Sequence, residues 1–285
     1  YISTDAALLE NGRFGDTYTI DEEITTLYSM ANISTEVAGM PLEGNVGVQI
    51  VSSKQSGKGF DATTGVGGYT RATAVTGGAD YTDVLPSLNL SLEVLDDQYV
   101  RTAVSKVTSR PRIDDLRPNA TVSFAFNDNN ILSTNPANSA WSGNAGNSEL
   151  KPLEANQFDL SYENYYHENG YIATSFFYKD LVNWHVAGAT INDFSANYIP
   201  GFHQTSTGQA PATMMGILNF REDGMQGFVR GYEIQASFPF EIVHASLDGL
   251  GVVASATKLD GSLGEGNARQ NVPGLSNELY TLTAY

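Results

Sequence analysis

The stretch Gly146–Asp180, GNSELKPLEANQFDLSYENYYHENGYIATSFFYKD, constrains the fold more than any other part of the chain. It opens with a turn-rich piece, Gly146 to Pro152, that cannot be an inner strand because proline has no N–H to give a ladder. Strict alternation follows. Phe158, Leu160 and Tyr162 share one face and Asp159, Ser161 and Glu163 the other, the period of two expected of a strand with one apolar side. Asn169 and Gly170 tolerate positive φ and mark a tight turn. A second strand, dense in aromatics, runs from Tyr171 to about Asp180. Loop, strand, tight turn and strand, with rings near the strand ends, is the layout of a membrane β-hairpin.

The same signal recurs along the chain. Strands are expected over about Thr17–Val37, Leu42–Lys54, Tyr81–Leu95, Tyr99–Ser109, Gln226–Phe238 and Leu250–Lys258, with a last one around Tyr280–Ala284. Leu88, Leu90 and Leu92 alternate with Asn89, Ser91 and Glu93. Tyr1–Asp16, the Gly-rich Ser56–Ala79, Arg110–Glu154, Val182–Met225 and Leu259–Leu275 read as loops. Thr121–Phe126 is a short extra strand inside the third of these. The connections therefore run short and long in strict turn, near Pro41, Gly67, Asp96, Asn130, Gly170, Gly201, Asp248 and Gly264. An up-and-down membrane barrel has that rhythm, and a Greek-key sandwich does not. The expected fold is all-β: about nine antiparallel strands of a larger barrel, with short periplasmic turns and long extracellular loops. Nine strands leave two unpaired edges, which lipid does not tolerate. The chain thus reads as a piece of a larger barrel.

Composition narrows the function. A net charge of −17 argues against binding a nucleic-acid backbone. With no cysteine there is neither a disulfide framework nor a thiolate metal site. No apolar run reaches the roughly 18 residues of a transmembrane helix, which excludes nothing for a barrel.

Several segments resemble one family. GNSELKP resembles the GNP-(Asp/Glu)-LKP element of TonB-dependent outer-membrane receptors, with Ser148 where the family usually has proline. FDLSYENYY and YIATSFFYKDLVN resemble the hairpin that follows it. Val84–Leu116, Val229–Phe240, Leu247–Thr257 and Pro273–Tyr285 are similar to strands on either side, and the likeness is nearly continuous from Asp80 to Tyr285 outside the long loops. The subgroup it is most similar to is often linked to glycan uptake. The resemblance implies a barrel of about 22 strands around an N-terminal plug, with no plug domain in residues 1–285. It implies no enzyme activity and no cofactor. It also implies active transport of a scarce solute, preferably an oligosaccharide and otherwise an iron chelate, across the outer membrane of a Gram-negative bacterium. Energy would come from the TonB–ExbB–ExbD complex, contacted through the TonB box of a missing N-terminal region, with outer-membrane lipid around the barrel. A secreted, soluble glycan-binding β-sandwich is the alternative. It would bury Leu88, Leu90, Leu92, Phe158, Leu160 and Tyr162 against a second sheet.

Candidate residues fall into three groups. Trp141, Trp184, Tyr198, Phe202 and His203 lie in long loops, where rings stack on sugars or pack the loops together. Arg101, Asp159, Glu163, Glu233 and Gln235 face the lumen, toward water or the plug. Tyr99, Tyr165, Tyr166, Tyr171, Phe238 and Phe240 lie by short turns and are expected in an interface belt. His185 and His203 share one loop, so a ligand or metal role is open to them, whereas His167 and His244 read as solvated. No histidine spacing matches a metal motif. Neither a carboxylate dyad nor a nucleophile–base pair stands out, and no metal site is expected.

Overall fold

A computed structural model describes residues 11–264 and 269–285. A helix, α1 (Asn11–Gly15), precedes β1 (Thr19–Val37) and β2 (Met40–Thr64). Then come β3 (Thr70–Leu95), β4 (Gln98–Ser109), β5 (Ala120–Phe124), α2 (Asp128–Ile131) and β6 (Trp141–Ala145). The remainder is β7 (Leu153–His167), β8 (Gly170–Asp193), β9 (Met215–Pro239), β10 (Gly251–Leu263), β11 (Gln270–Asn271) and β12 (Glu278–Ala284). No helix among the described residues is long and apolar enough to cross a membrane.

Nine of these strands form one antiparallel wall, β1-β2-β3-β4-β7-β8-β9-β10-β12, each beside its sequence neighbour in the wall. The register aligns the apolar rows. Val46, Leu88, Val104, Phe158 and Tyr178 lie side by side across five strands, and Leu90, Thr102, Leu160, Phe176 and Tyr232 form the next row. Among the described residues nothing covers this face: Phe158 is 36% exposed, Leu160 42% and Tyr232 64%. Rows of large apolar side chains left open this way suit hydrocarbon and not water. Among the described residues no second sheet packs on them, which overturns the sandwich alternative.

The opposite face is polar. Asn32, Asn45 and Asn89 are in register, and Ser91, Arg101, Ser161, Ser175 and Glu233 form the row beside them. The 110–152 connection lies on this face and buries Ser53 and Gln55 of β2. Its hairpin β5–β6 also joins the wall. Ala120–Val122 run parallel to Asp61–Thr63 of β2, and Ser142–Asn144 run parallel to Ile217–Asn219 of β9. A ring of eight strands therefore closes through β2, β3, β4, β7, β8, β9, β6 and β5.

Three boundaries differ from the sequence reading. Ser56–Ala79 is not a loop: β2 and β3 pair without a break from Leu42↔Leu92 to Thr64↔Thr70, leaving a turn at Gly65–Tyr69. Three of its glycines, Gly57, Gly59 and Gly77, face the 110–152 connection, which lies flat on the ladder. A Cβ at Gly59 would coincide with Asn119 Oδ1, and one at Gly77 would collide with Ser148 Oγ. The Val182–Met225 loop likewise shortens, because β8 and β9 stay paired to Asp193↔Met215. Residues 11–15, read as loop, are helical, while the rest of the expected loop, residues 1–10, lies outside the described residues. The turn between β1 and β2 has both central residues at positive φ, Ala38 (51°) and Gly39 (79°). That is the hairpin turn whose twist matches the strands.

Candidate functional site

Gly146–Pro152 crosses the polar side of the wall as a strap. At one end the Gln55 side-chain amide donates to the carbonyls of Ser148 (2.8 Å) and Leu150 (3.1 Å). At the other, β8 and β9 hold both polar groups of the Lys151 peptide. Its N–H donates to the Asp223 carboxylate (3.1 Å), and its carbonyl lies 2.7 Å from His185 Nε2. Asn183 donates to the Pro152 carbonyl (2.7 Å) and Asn147 to that of Arg221 (3.0 Å). Leu150 is fully buried between these ends. A proline-containing segment cannot enter a ladder, so side chains satisfy its buried carbonyls instead. Nearby, the Asn119 amide donates to the carbonyls of Phe14, Gly15 and Thr17 and docks α1 against β2.

Above the strap, the loop rings form a small core. Trp141 is 1% exposed and His203 0%, packed with Val122 and Phe194. Phe124 stands edge-on to Trp141 at 4.7 Å. Tyr198 and Phe202 are half-buried at its margin. Trp184 is half-buried elsewhere, on a cluster of Ala155, Leu181, Leu263 and Val272. The five loop residues are thus not gathered into one open site, and Trp141 and His203 expose no surface to a solute. His203 Nδ1 accepts from the Ile199 N–H (3.0 Å), while the buried Nε2 has no hydrogen-bond partner among the described residues. Burial holds this imidazole below the usual histidine range, and the Arg71 charge adds to the effect.

The five expected lumen residues all lie on the polar face. Arg101 pairs with Glu163 (3.0 Å) and donates to Ser91 Oγ (3.0 Å). Gln157 donates to Asp159 (2.6 Å), and Gln235 donates to the Tyr171 hydroxyl (2.6 Å). Glu233 is exposed. A concavity of about 650 Å³ opens here, lined by Asn45, Asn89, Ser91, Arg101, Asp159 and Ser161. The belt expectation fails for three tyrosines. Tyr99, Tyr165 and Tyr171 point inward with Arg101 and Gln235, their rings 6.2 and 6.1 Å apart in sequence order. Closeness to a turn fixes a residue's height on a strand, whereas its face follows from parity, and Tyr99 shares the parity of Arg101. Phe238 keeps the outward parity, beside Phe240. Among the described residues no group of three histidine, aspartate or glutamate side chains is placed to hold a metal.

Sequence reasoning missed Gln55, Asn119, Asn183 and Asp223. Each acts on the backbone of a distant segment, and no local spacing signals that.

Residues 3–284 match the family described as "TonB dependent receptor-like, beta-barrel". The chain belongs to that family. It is a family of Gram-negative outer-membrane proteins, so the apolar rows of this TonB-dependent barrel face outward and its polar rows face the lumen. Among solved structures, the chain is similar to the ferric-catecholate import receptor Fiu from E. coli K12, at 14% identity and a TM-score of 0.52, over 92% of this chain and 32% of that one. It is also similar to the siderophore receptor PirA from Pseudomonas aeruginosa (14%, TM-score 0.43, 86% and 45%). A third is the ferric enterobactin receptor PfeA from the same organism in complex with BCV-L6 (14%, TM-score 0.47, 93% and 46%). The chain spans less than half the length of each of these three. No curated protein sequence matches it.

Proposed function

We propose that this barrel serves an outer-membrane receptor that binds a scarce solute at its extracellular end and imports it. The energy comes from the TonB–ExbB–ExbD complex, acting on the family's plug. The wall itself carries this reading, with open apolar rows on one side and amides, hydroxyls and ion pairs on the other. The preferred solute is an oligosaccharide, bound by loop rings. Of the residues proposed for that role, Trp184, Tyr198 and Phe202 keep partial exposure, and Trp141 and His203 hold the loops in place. Arg101, Asp159, Glu163, Glu233 and Gln235 line the path or meet the plug.

An iron chelate is the second reading, supported by the printed names of PirA, PfeA and Fiu. The test is binding of neutral oligosaccharides and of ferric enterobactin to the full-length receptor. Sugar binding supports the proposal. Tight binding of the ferric chelate, with none of sugar, overturns the solute assignment.

A further inference from the structure

The ring cluster at the extracellular end terminates in one ring that faces water. Phe126 is 55% exposed. Its backbone is fixed from both sides: the Ala125 N–H donates to the Ala140 carbonyl (2.8 Å), and Asn127 Oδ1 caps α2 by accepting from the Asn130 N–H (2.9 Å). Its ring stands edge-on to Phe124 (4.9 Å) and Phe202 (5.2 Å), and Phe124 rests on buried Trp141. An exposed side chain held this way has lost its freedom before any ligand arrives, which removes a main cost of binding.

The surroundings are polar, with a single carboxylate. Asn127 and Asn129 are exposed beside the ring, and Asn127 Nδ2 has no partner among the described residues. The adjacent carboxylate, Asp128, is occupied by the N–H and hydroxyl of Ser206 (3.1 and 2.9 Å). No lysine or arginine occurs between Pro118 and Leu150. A π face is negative at its centre and attracts the weakly positive C–H face of a sugar ring. An amide at its edge donates to hydroxyls.

We infer that Phe126 is a stacking platform for one pyranose ring of a neutral oligosaccharide, with the Asn127 amide donating to a hydroxyl of that ring. The inference rests on the solute reading above and adds to it the residue that selects a sugar. The test uses full-length receptor in detergent, with maltohexaose, cellohexaose and xylohexaose as probes in titration calorimetry. Folding is checked by the heat-dependent gel shift of intact barrels. Phe126→Leu keeps apolar bulk without a π face, and Phe126→Trp keeps the face. The platform predicts about tenfold weaker binding for the leucine variant, the scale of one aromatic contact, and near-unaltered binding for the tryptophan variant. Binding by Phe126→Leu as tight as that of the unaltered receptor overturns the platform and leaves the solute reading standing. If the tryptophan variant loses as much as the leucine variant, the effect is packing, and the platform is again overturned. Failure of the unaltered receptor to bind any of the three sugars overturns the solute reading, and the platform with it.

Discussion

The side-chain amide of Gln55, on β2, donates to the carbonyl of Leu150, 95 residues further along the chain. The two residues are 5% and 0% exposed. That bond, with its partner to Ser148, fixes the strap to the wall at a point where no ladder satisfies the strap's backbone.

Replacing Gln55 by Leu leaves the buried Leu150 carbonyl and the part-buried Ser148 carbonyl unpaired, a loss of about 1–3 kcal/mol. Because the far end is held independently by Asp223 and Asn183, the strap loosens locally while the wall persists. Hydrogen exchange is expected to rise at Glu149–Lys151 and to stay unchanged in β7 and β8.

Gly59→Ala drives a methyl group into Asn119. Displacing that side chain breaks its three bonds to the 14–17 segment. A loss of roughly 2–4 kcal/mol is expected, readable as a lower midpoint in urea unfolding of the refolded barrel. Gly68→Ala, where a Cβ meets nothing within 4 Å but φ is +80°, costs only the backbone strain of about 1 kcal/mol.

Ala38 sits at φ 51° in a turn that favours Asn or Gly. Ala38→Asn relieves strain of about 1 kcal/mol and is expected to raise the same midpoint.

His203 gives the extracellular loops a pH dependence of known sign. Burial lowers its pKa in the packed cluster. An opened loop takes up its proton near pH 6.5, while the packed ring does not. Packing is therefore fully favoured above about pH 6.5 and weakens as the pH falls below that value, until the lowered pKa is passed. Trp141 lies 4.9 Å from the imidazole, so its fluorescence reports the opening. His203→Phe removes the pH dependence, and persistence of the effect in that variant would assign it to another group.

The strands of the central hairpin were legible residue by residue. Phe158, Leu160 and Tyr162 carry a two-residue period because one face meets lipid, whereas the turn falls one residue earlier than expected, on Glu168–Asn169 without positive φ, and Gly170 already pairs with His167. Ser56–Ala79 was not legible, because Gly57, Gly59 and Gly77 answer to a segment some 60 to 70 residues away that rests on them. An apolar period is also weak there, since both faces lie beyond the apolar rows. Trp141 could not be placed from sequence either. A ring among Asn, Ser and Gly residues reads the same whether it faces water or lies beneath a neighbouring loop. Phe126, two residues beyond Phe124, drew no attention in the sequence, and only the exposure of its ring singles it out.

Side chains two apart along each strand share one environment, with lipid on one side of the wall and the lumen on the other. Single nitroxide labels are placed on cysteines introduced at Leu88, Leu160, Phe176, Ser91, Asp159 and Ser175, with any cysteine outside residues 1–285 replaced by serine. In the reconstituted full-length receptor, oxygen collision is expected to be high at the first three positions and low at the last three. Equal accessibility on both parities, or the reverse order, would contradict that arrangement.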